Sequence, residues 1–114
     1  MNDEERAAAQ SAIEAAEKVR GVVSGLSAAL VWGWSVKHVP LRPEVTIPRS
    51  RRIRRTVARG IAVRRLDIPA CDIDGLVTTR LRTVIDCLRK LPFDEALCVA
   101  DSALRLGVGH EELI

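Results

Sequence analysis

Aromatic side chains are nearly missing from this sequence. Trp32, Trp34 and Phe93 are the three present, and tyrosine is absent. The core therefore has to be aliphatic, and no aromatic residues interleave with basic ones to stack on bases. Cysteine is scarce: Cys71, Cys87 and Cys98 are odd in number and widely spaced. No CxxC or Cys/His ligand spacing exists, which argues against zinc and for small buried thiols in a reducing compartment. No apolar run reaches the ~18 residues needed to cross a bilayer. The opening MNDEER is acidic, the wrong flank for a signal peptide. The chain reads as cytoplasmic, with no membrane partner.

Catalytic patterns are missing too. Lys18, Lys37 and Lys90 are the three lysines, and none sits where a carboxylate–lysine nuclease motif needs one. There is no GxSxG, HExxH or P-loop. His38 and His110 read as loop residues. Asp72 and Asp74 bracket Ile73, and Asp74 suits a turn better than a metal. No catalytic residue, metal site or cofactor is expected, so the chain reads as non-enzymatic.

What is present is a segregation of charge. The net charge of +3 arises from 114 residues, one domain's worth of chain. Residues 1–48 are net −1, residues 49–65 carry eight arginines and no acid, and residues 66–114 are net −4. Arg49, Arg51, Arg52, Arg54 and Arg55 head the basic segment. Each arginine is suited to a phosphate, which it grips bidentately, in sequence-independent and salt-dependent fashion. The alternatives are a solvated arm, or an arm docked on the acidic C-terminal half.

Periodicity supplies the elements. Asn2 and Glu5 have capping-box spacing and open a helix to Val19, ended by Gly21. Ser24 is placed to cap a second helix over roughly 25–34, with Leu26, Ala29, Leu30, Gly33 and Trp34 inward. Trp32 and Trp34 lie about 200° apart on a helix, so they cannot share a face. Both fit the core or its boundary; the functional alternative is an aromatic anchor for a protein, or for a second copy in a homo-oligomer. Residues 45–47 and 61–66 read as strands, and residues 49–60 as a long exposed hairpin arm or loop. Asp74-Gly75 is a hairpin signal of the type I′ kind. Val77 and Thr78 form the last strand.

The strongest pattern is GLVTTRLRTVIDCLRKLPFDEALCVADSALRL. Thr79 caps a helix whose apolar face is Leu81, Val84, Ile85, Leu88 and Leu91. Pro92 forces a corner. Phe93, Leu97, Ala100 and Leu104 form the stripe of a further helix, ended by Gly107 and Gly109. Arg82 and Asp86, four apart, can pair on the outer face, as an interaction or active-site pair or as a structural salt bridge that fixes the strand-to-helix corner. The fold class expected is α+β: a small antiparallel or mixed sheet backed by helices, in the order α-α-β-β-β-α-α.

The run LSAALVWGW, VTIPRSRRIRR, IAVRRLDIP, TTRLRTVIDCLRKLPFDEALCVADSALRLG and EELI resembles the central region of AbiEi-type antitoxins of bacterial toxin–antitoxin systems. The same region occurs in bacterial proteins bearing a very-short-patch-repair-like endonuclease domain. Thr78, Thr79, Arg82, Thr83 and Asp86 stand at the family's positions, and Asp101 and Ala103–Arg105 match its second helix. The resemblance implies a non-enzymatic interaction domain with a cognate toxin as partner. The alternative it implies is a structural or regulatory spacer of an endonuclease-like protein. Family members add a winged-helix domain before this region or the nuclease-like domain after it. Residues 1–114 are therefore expected to be one domain of a longer or shortened architecture.

Overall fold

Alanine governs how closely the first helix settles on its neighbours. The structure, a computed structural model, describes residues 1–106; the helix end predicted at Gly107 and Gly109, His110 and the pattern EELI lie outside the described residues. Helix α1, Asp3–Val19, opens with the predicted capping box. Asn2 Oδ1 accepts the Glu5 N–H at 2.8 Å, and Glu5 Oε1 accepts the Asn2 N–H at 3.0 Å. Its buried face is Ala12, Ala15, Ala16 and Val19. Gly21 is not its left-handed residue. Arg20 takes that conformation (φ 55°, ψ 48°), and the Gly21 N–H closes the helix on the Ala16 carbonyl at 2.9 Å. Gly21 serves close approach: a Cβ there would lie 2.5 Å from Val45 Cγ1 and 2.8 Å from the Thr46 carbonyl oxygen.

Strand β1, Val22–Val23, leads into helix α2, Gly25–Val31. Strand β2, Glu44–Ile47, pairs antiparallel with β1, Val22 opposite Thr46. Strand β3, Ala62–Arg65, runs parallel to β2, with Val45 opposite Val63. Parallel neighbours cannot be joined by a hairpin, so the predicted hairpin arm is instead a crossover containing a one-turn helix α3, Arg55–Ala58. Ile53 and Val57 pack it onto the core. Strands β4, Ile73–Asp74, and β5, Val77–Thr78, form a hairpin around Gly75 and Leu76. Gly75 has φ +65° and Leu76 does not share its sign. That is the φ pattern of a type II′ turn, with glycine first, and not the type I′ expected. The sheet order is β3-β2-β1-β5-β4. Helices α4, Arg80–Lys90, and α5, Phe93–Leu106, complete an α+β fold.

Two apolar cores meet at α2. One joins α1 to the sheet through Ala12, Ala16, Val23, Ala28, Val45 and Ile47. The other gathers Ala29, Trp34, Val84, Cys87, Val99 and Ala103 between helices. Trp34 is among the largest fully buried side chains; small side chains surround it, and α4 and α5 turn those small-residue faces inward. The predicted leucine stripes therefore shift outward. On α4, Val84 is buried and Leu91 packs at the core edge, Leu81 and Ile85 are half-buried, and Leu88 is 54% exposed. On α5 the buried residues are Ala96, Val99, Ser102 and Ala103, while Phe93, Leu97 and Leu104 are 81%, 53% and 49% exposed. Each such side chain forgoes much of the roughly 1.5–3 kcal/mol that full burial contributes.

The Gly21→Ala variant is expected to lose about 1–3 kcal/mol of stability through overpacking against β2. A urea denaturation curve checks this; an unchanged midpoint contradicts the close approach.

Candidate functional site

Helix α4 begins with a polar corner assembled by the motif TTRLRTVID. Thr79 Oγ1 accepts the Arg82 N–H at 3.3 Å, and the Thr79 N–H reaches back to the Asp72 carbonyl at 2.9 Å. Thr78 and Thr83 are fully buried and share a hydroxyl–hydroxyl bond of 2.7 Å. The Thr83 hydroxyl also donates to the Thr79 carbonyl at 2.8 Å. The motif's threonines are thus spent on fixing the strand-to-helix turn.

Arg82 and Asp86 do pair, but not on an outer face. Arg82 Nε donates to Asp86 Oδ1 at 2.9 Å, and Arg82 Nη1 to Asp72 Oδ2 at 3.1 Å. Partial burial works against the Arg82 charge, yet the hydrogen bonds to Asp72 and Asp86 and the charge of both carboxylates raise its pKa. The Asp86 side chain is only 6% exposed, and its Oδ2 faces Arg64 Nη2 at 3.6 Å, close enough for an ion pair and too far for a hydrogen bond. A chain of alternating charge, Asp72–Arg82–Asp86–Arg64, therefore ties β3 and the β4 approach to α4.

Beside this chain lies a cavity of about 280 Å³ between the start of α2, the edges of β2 and β3, and α4. Glu44 and Lys90 face each other there at 3.8 Å. Glu44 Oε1 also accepts the Leu26 N–H at 2.8 Å, capping α2 in place of Ser24. Ser24 holds the predicted cap position, but its hydroxyl is taken by Thr46 at 2.8 Å. Cys87 lines the cavity, and burial, helped by the charges of Glu44 and Asp86, pushes its thiol up to about 12. It is inert at neutral pH. Among the described residues, no three His, Cys, Asp or Glu side chains converge as metal ligands do.

The arginine segment divides in two. Arg51 is pinned: its Nη1 donates to the Arg20 carbonyl and lies 3.4 Å from that of Val19, at the C-terminal end of α1. It belongs to the fold, not to a phosphate-binding set. Arg49, Arg52, Arg54 and Arg55 are exposed, as is Arg59, which sequence reading left out of the set. No side-chain ion pair holds any of these five among the described residues. The Arg49 N–H is anchored on Asp67 Oδ1 at 3.0 Å, leaving its guanidinium in solvent.

Neither tryptophan is a free anchor. Trp34 is 1% exposed. Trp32 is half-buried, donates Nε1–H to the Thr78 carbonyl at 2.9 Å, and carries the Arg80 guanidinium 4.6 Å above its ring. Among the described residues, Leu41, Leu76 and Leu88 are exposed apolar side chains too, but α5 carries four together, Phe93, Leu97, Leu104 and Leu106. There Asp94 pairs with Lys37, a contact that lowers the pKa of Asp94 and raises that of Lys37. Asp101 pairs with Arg105 at 2.6 Å.

Fold and geometry define a small α+β domain with a buried charge chain, an arginine-studded crossover and an apolar helix face. No helix among the described residues is long and apolar enough to cross a membrane. No protein-family model, curated protein or solved structure matches the chain. Sequence reading missed Glu44, Arg64 and Lys90 at the cavity: the pairing of β2 with β3 brings Glu44 and Arg64 together, and the packing of α4 adds Lys90.

Removing one partner of a buried ion pair costs ~3–5 kcal/mol. Asp86→Asn is therefore expected to lower stability by about that amount, where an exposed pair would cost ~0–1 kcal/mol; a thermal melt distinguishes the two. With a thiol-specific reagent at pH 8, Cys71 is expected to react readily, and Cys87 only once the chain unfolds. Labelling of native Cys87 contradicts its environment.

Proposed function

We propose that the chain is a non-enzymatic interaction domain of the AbiEi-type antitoxin kind. It meets nucleic acid non-specifically through the β2–β3 crossover, and a protein partner, the cognate toxin that the resemblance implies, through its C-terminal helices. The observation that carries this reading is the crossover itself. Five guanidiniums, those of Arg49, Arg52, Arg54, Arg55 and Arg59, project from one short segment whose backbone is held by Asp67, by Arg51 and by the packing of Ile53 and Val57. Holding a basic segment in place lowers the ordering cost of binding. Without stacking aromatics or a recognition helix, such a surface reads phosphate and not base sequence. The exposed leucines of α4 and α5 support the protein contact. The reading invokes no cofactor or metal. It puts the protein in the cytoplasm, where free thiols such as Cys71, Cys87 and Cys98 persist.

Replacing Arg49, Arg52, Arg54 and Arg55 with Gln is expected to weaken duplex-DNA retention and to flatten the log K against log salt slope by about 3–4, near 0.9 per phosphate contact. Arg51→Gln is expected to lower the melting temperature and to leave that slope unchanged. Fluorescence anisotropy across a salt series checks both, and equal retention of the fourfold variant at low salt sinks the nucleic-acid reading.

A further inference from the structure

The exposed face of α5 is patterned and not random. Phe93, Leu97, Ala100 and Leu104 follow at steps of four, three and four, the spacing of a coiled-coil seam. All four fall within about 60° of one another around the helix, and none is in the buried set. The order of sizes is large, large, small, large. Reversed upon itself, this pattern sets its one small residue against a large one and its two ends large against large. An antiparallel second copy, related by a two-fold axis midway between Cys98 and Val99, sets Leu97 against the second copy's Ala100 and Phe93 against its Leu104. A knob then meets a small residue at the centre, and the seam closes as an isologous contact.

The flanking charges agree with the same occupant. Asp94 is already paired with Lys37, and Asp101 with Arg105. With Glu95, whose charge also reaches Lys37, three acids stand against two bases, and a strongly basic or strongly acidic partner helix finds little net charge there to match. Asp94, Asp101 and Arg105 lie on one flank of the seam, where, in the antiparallel arrangement, Lys37 and Asp94 of one copy come alongside Asp101 and Arg105 of the other, two acids with two bases at each such meeting.

We propose that the Phe93–Leu97–Ala100–Leu104 face of α5 docks on the same face of a second copy of this chain, antiparallel, as a homodimer. The inference rests on the C-terminal helices being a docking face, and names the occupant. A toxin then meets the dimer through what α4 leaves exposed, Leu88 above all, and not through this seam.

Sedimentation velocity from micromolar to near-millimolar concentration tests it, with circular dichroism confirming that each variant is folded. The wild-type chain is expected to dimerise as concentration rises. Leu97→Lys and Ala100→Glu are each expected to raise the dissociation constant roughly tenfold or more. A mixture of the two is expected to recover a heterodimer, since only the antiparallel register sets the introduced ammonium of one variant against the introduced carboxylate of the other. A dimer that persists unchanged in Leu97→Lys overturns the proposal, because another face then holds it. Monomeric single variants that fail to recover on mixing overturn the antiparallel register. A wild-type chain that stays monomeric overturns the second copy; if it still binds an apolar dye in a Leu97-dependent way the docking face survives, and if it binds none that reading falls too.

Discussion

Helix α2 is the constraint on which the rest depends. It is short, and two of its adjacent residues serve different cores: Ala28 packs with α1 and the sheet, Ala29 with α4 and α5. A helix used on opposite sides has to carry small side chains, because both neighbours must come close. The alanines of α1 meet the same demand from the other direction. So does Gly21, whose missing side chain lets β2 lie against the end of α1. Close approach of many small side chains contributes to stability here beside the burial of Trp34, Leu30 and Ile47.

Charge is handled in two ways within one short stretch. Arg51 and Arg64 are drawn into the fold, one on the carbonyls that end α1, the other beside buried Asp86. Arg49, Arg52, Arg54, Arg55 and Arg59 are left in water. A buried carboxylate such as Asp86 stands only because arginines answer it from two sides, and the Arg82 bridge to Asp72 extends the arrangement to the β4 approach. The motif that looks most like a site, with its threonines, Arg82 and Asp86, is thereby a device for holding α4 at its angle. The exposed arginines of the crossover and the exposed apolar side chains of α5 are not part of it.

Those surfaces follow from how the cores were filled. Once Trp34 occupies the second core, alanine and valine faces wrap around it and the leucines of α5 turn to solvent. The parallel pairing of β2 and β3 requires a crossover, and the crossover carries the exposed arginines.

Local chemistry was legible in the sequence. The capping box of Asn2 and Glu5, the Thr79 cap, the corner at Pro92 and the hairpin around Gly75 each depend on a few neighbouring residues, and each is present. The α+β class followed from the order of such elements. Where the reading erred, the outcome depended on distant residues. Large leucines at helical spacing look like a core face, but which face of α5 turns inward was decided by Trp34, far away in the chain. The arginine stretch looked like a hairpin arm, but parallel pairing of β2 with β3 made it a crossover and took Arg51 for the fold. Arg82 and Asp86 were seen to pair, but their burial came from Arg64 and Asp72. The sequence by itself determined the local turns, caps and helices, whose energies are set within a few residues. Only the tertiary structure decided which faces are buried and which charges are free, because packing and desolvation are set by whatever the fold brings alongside.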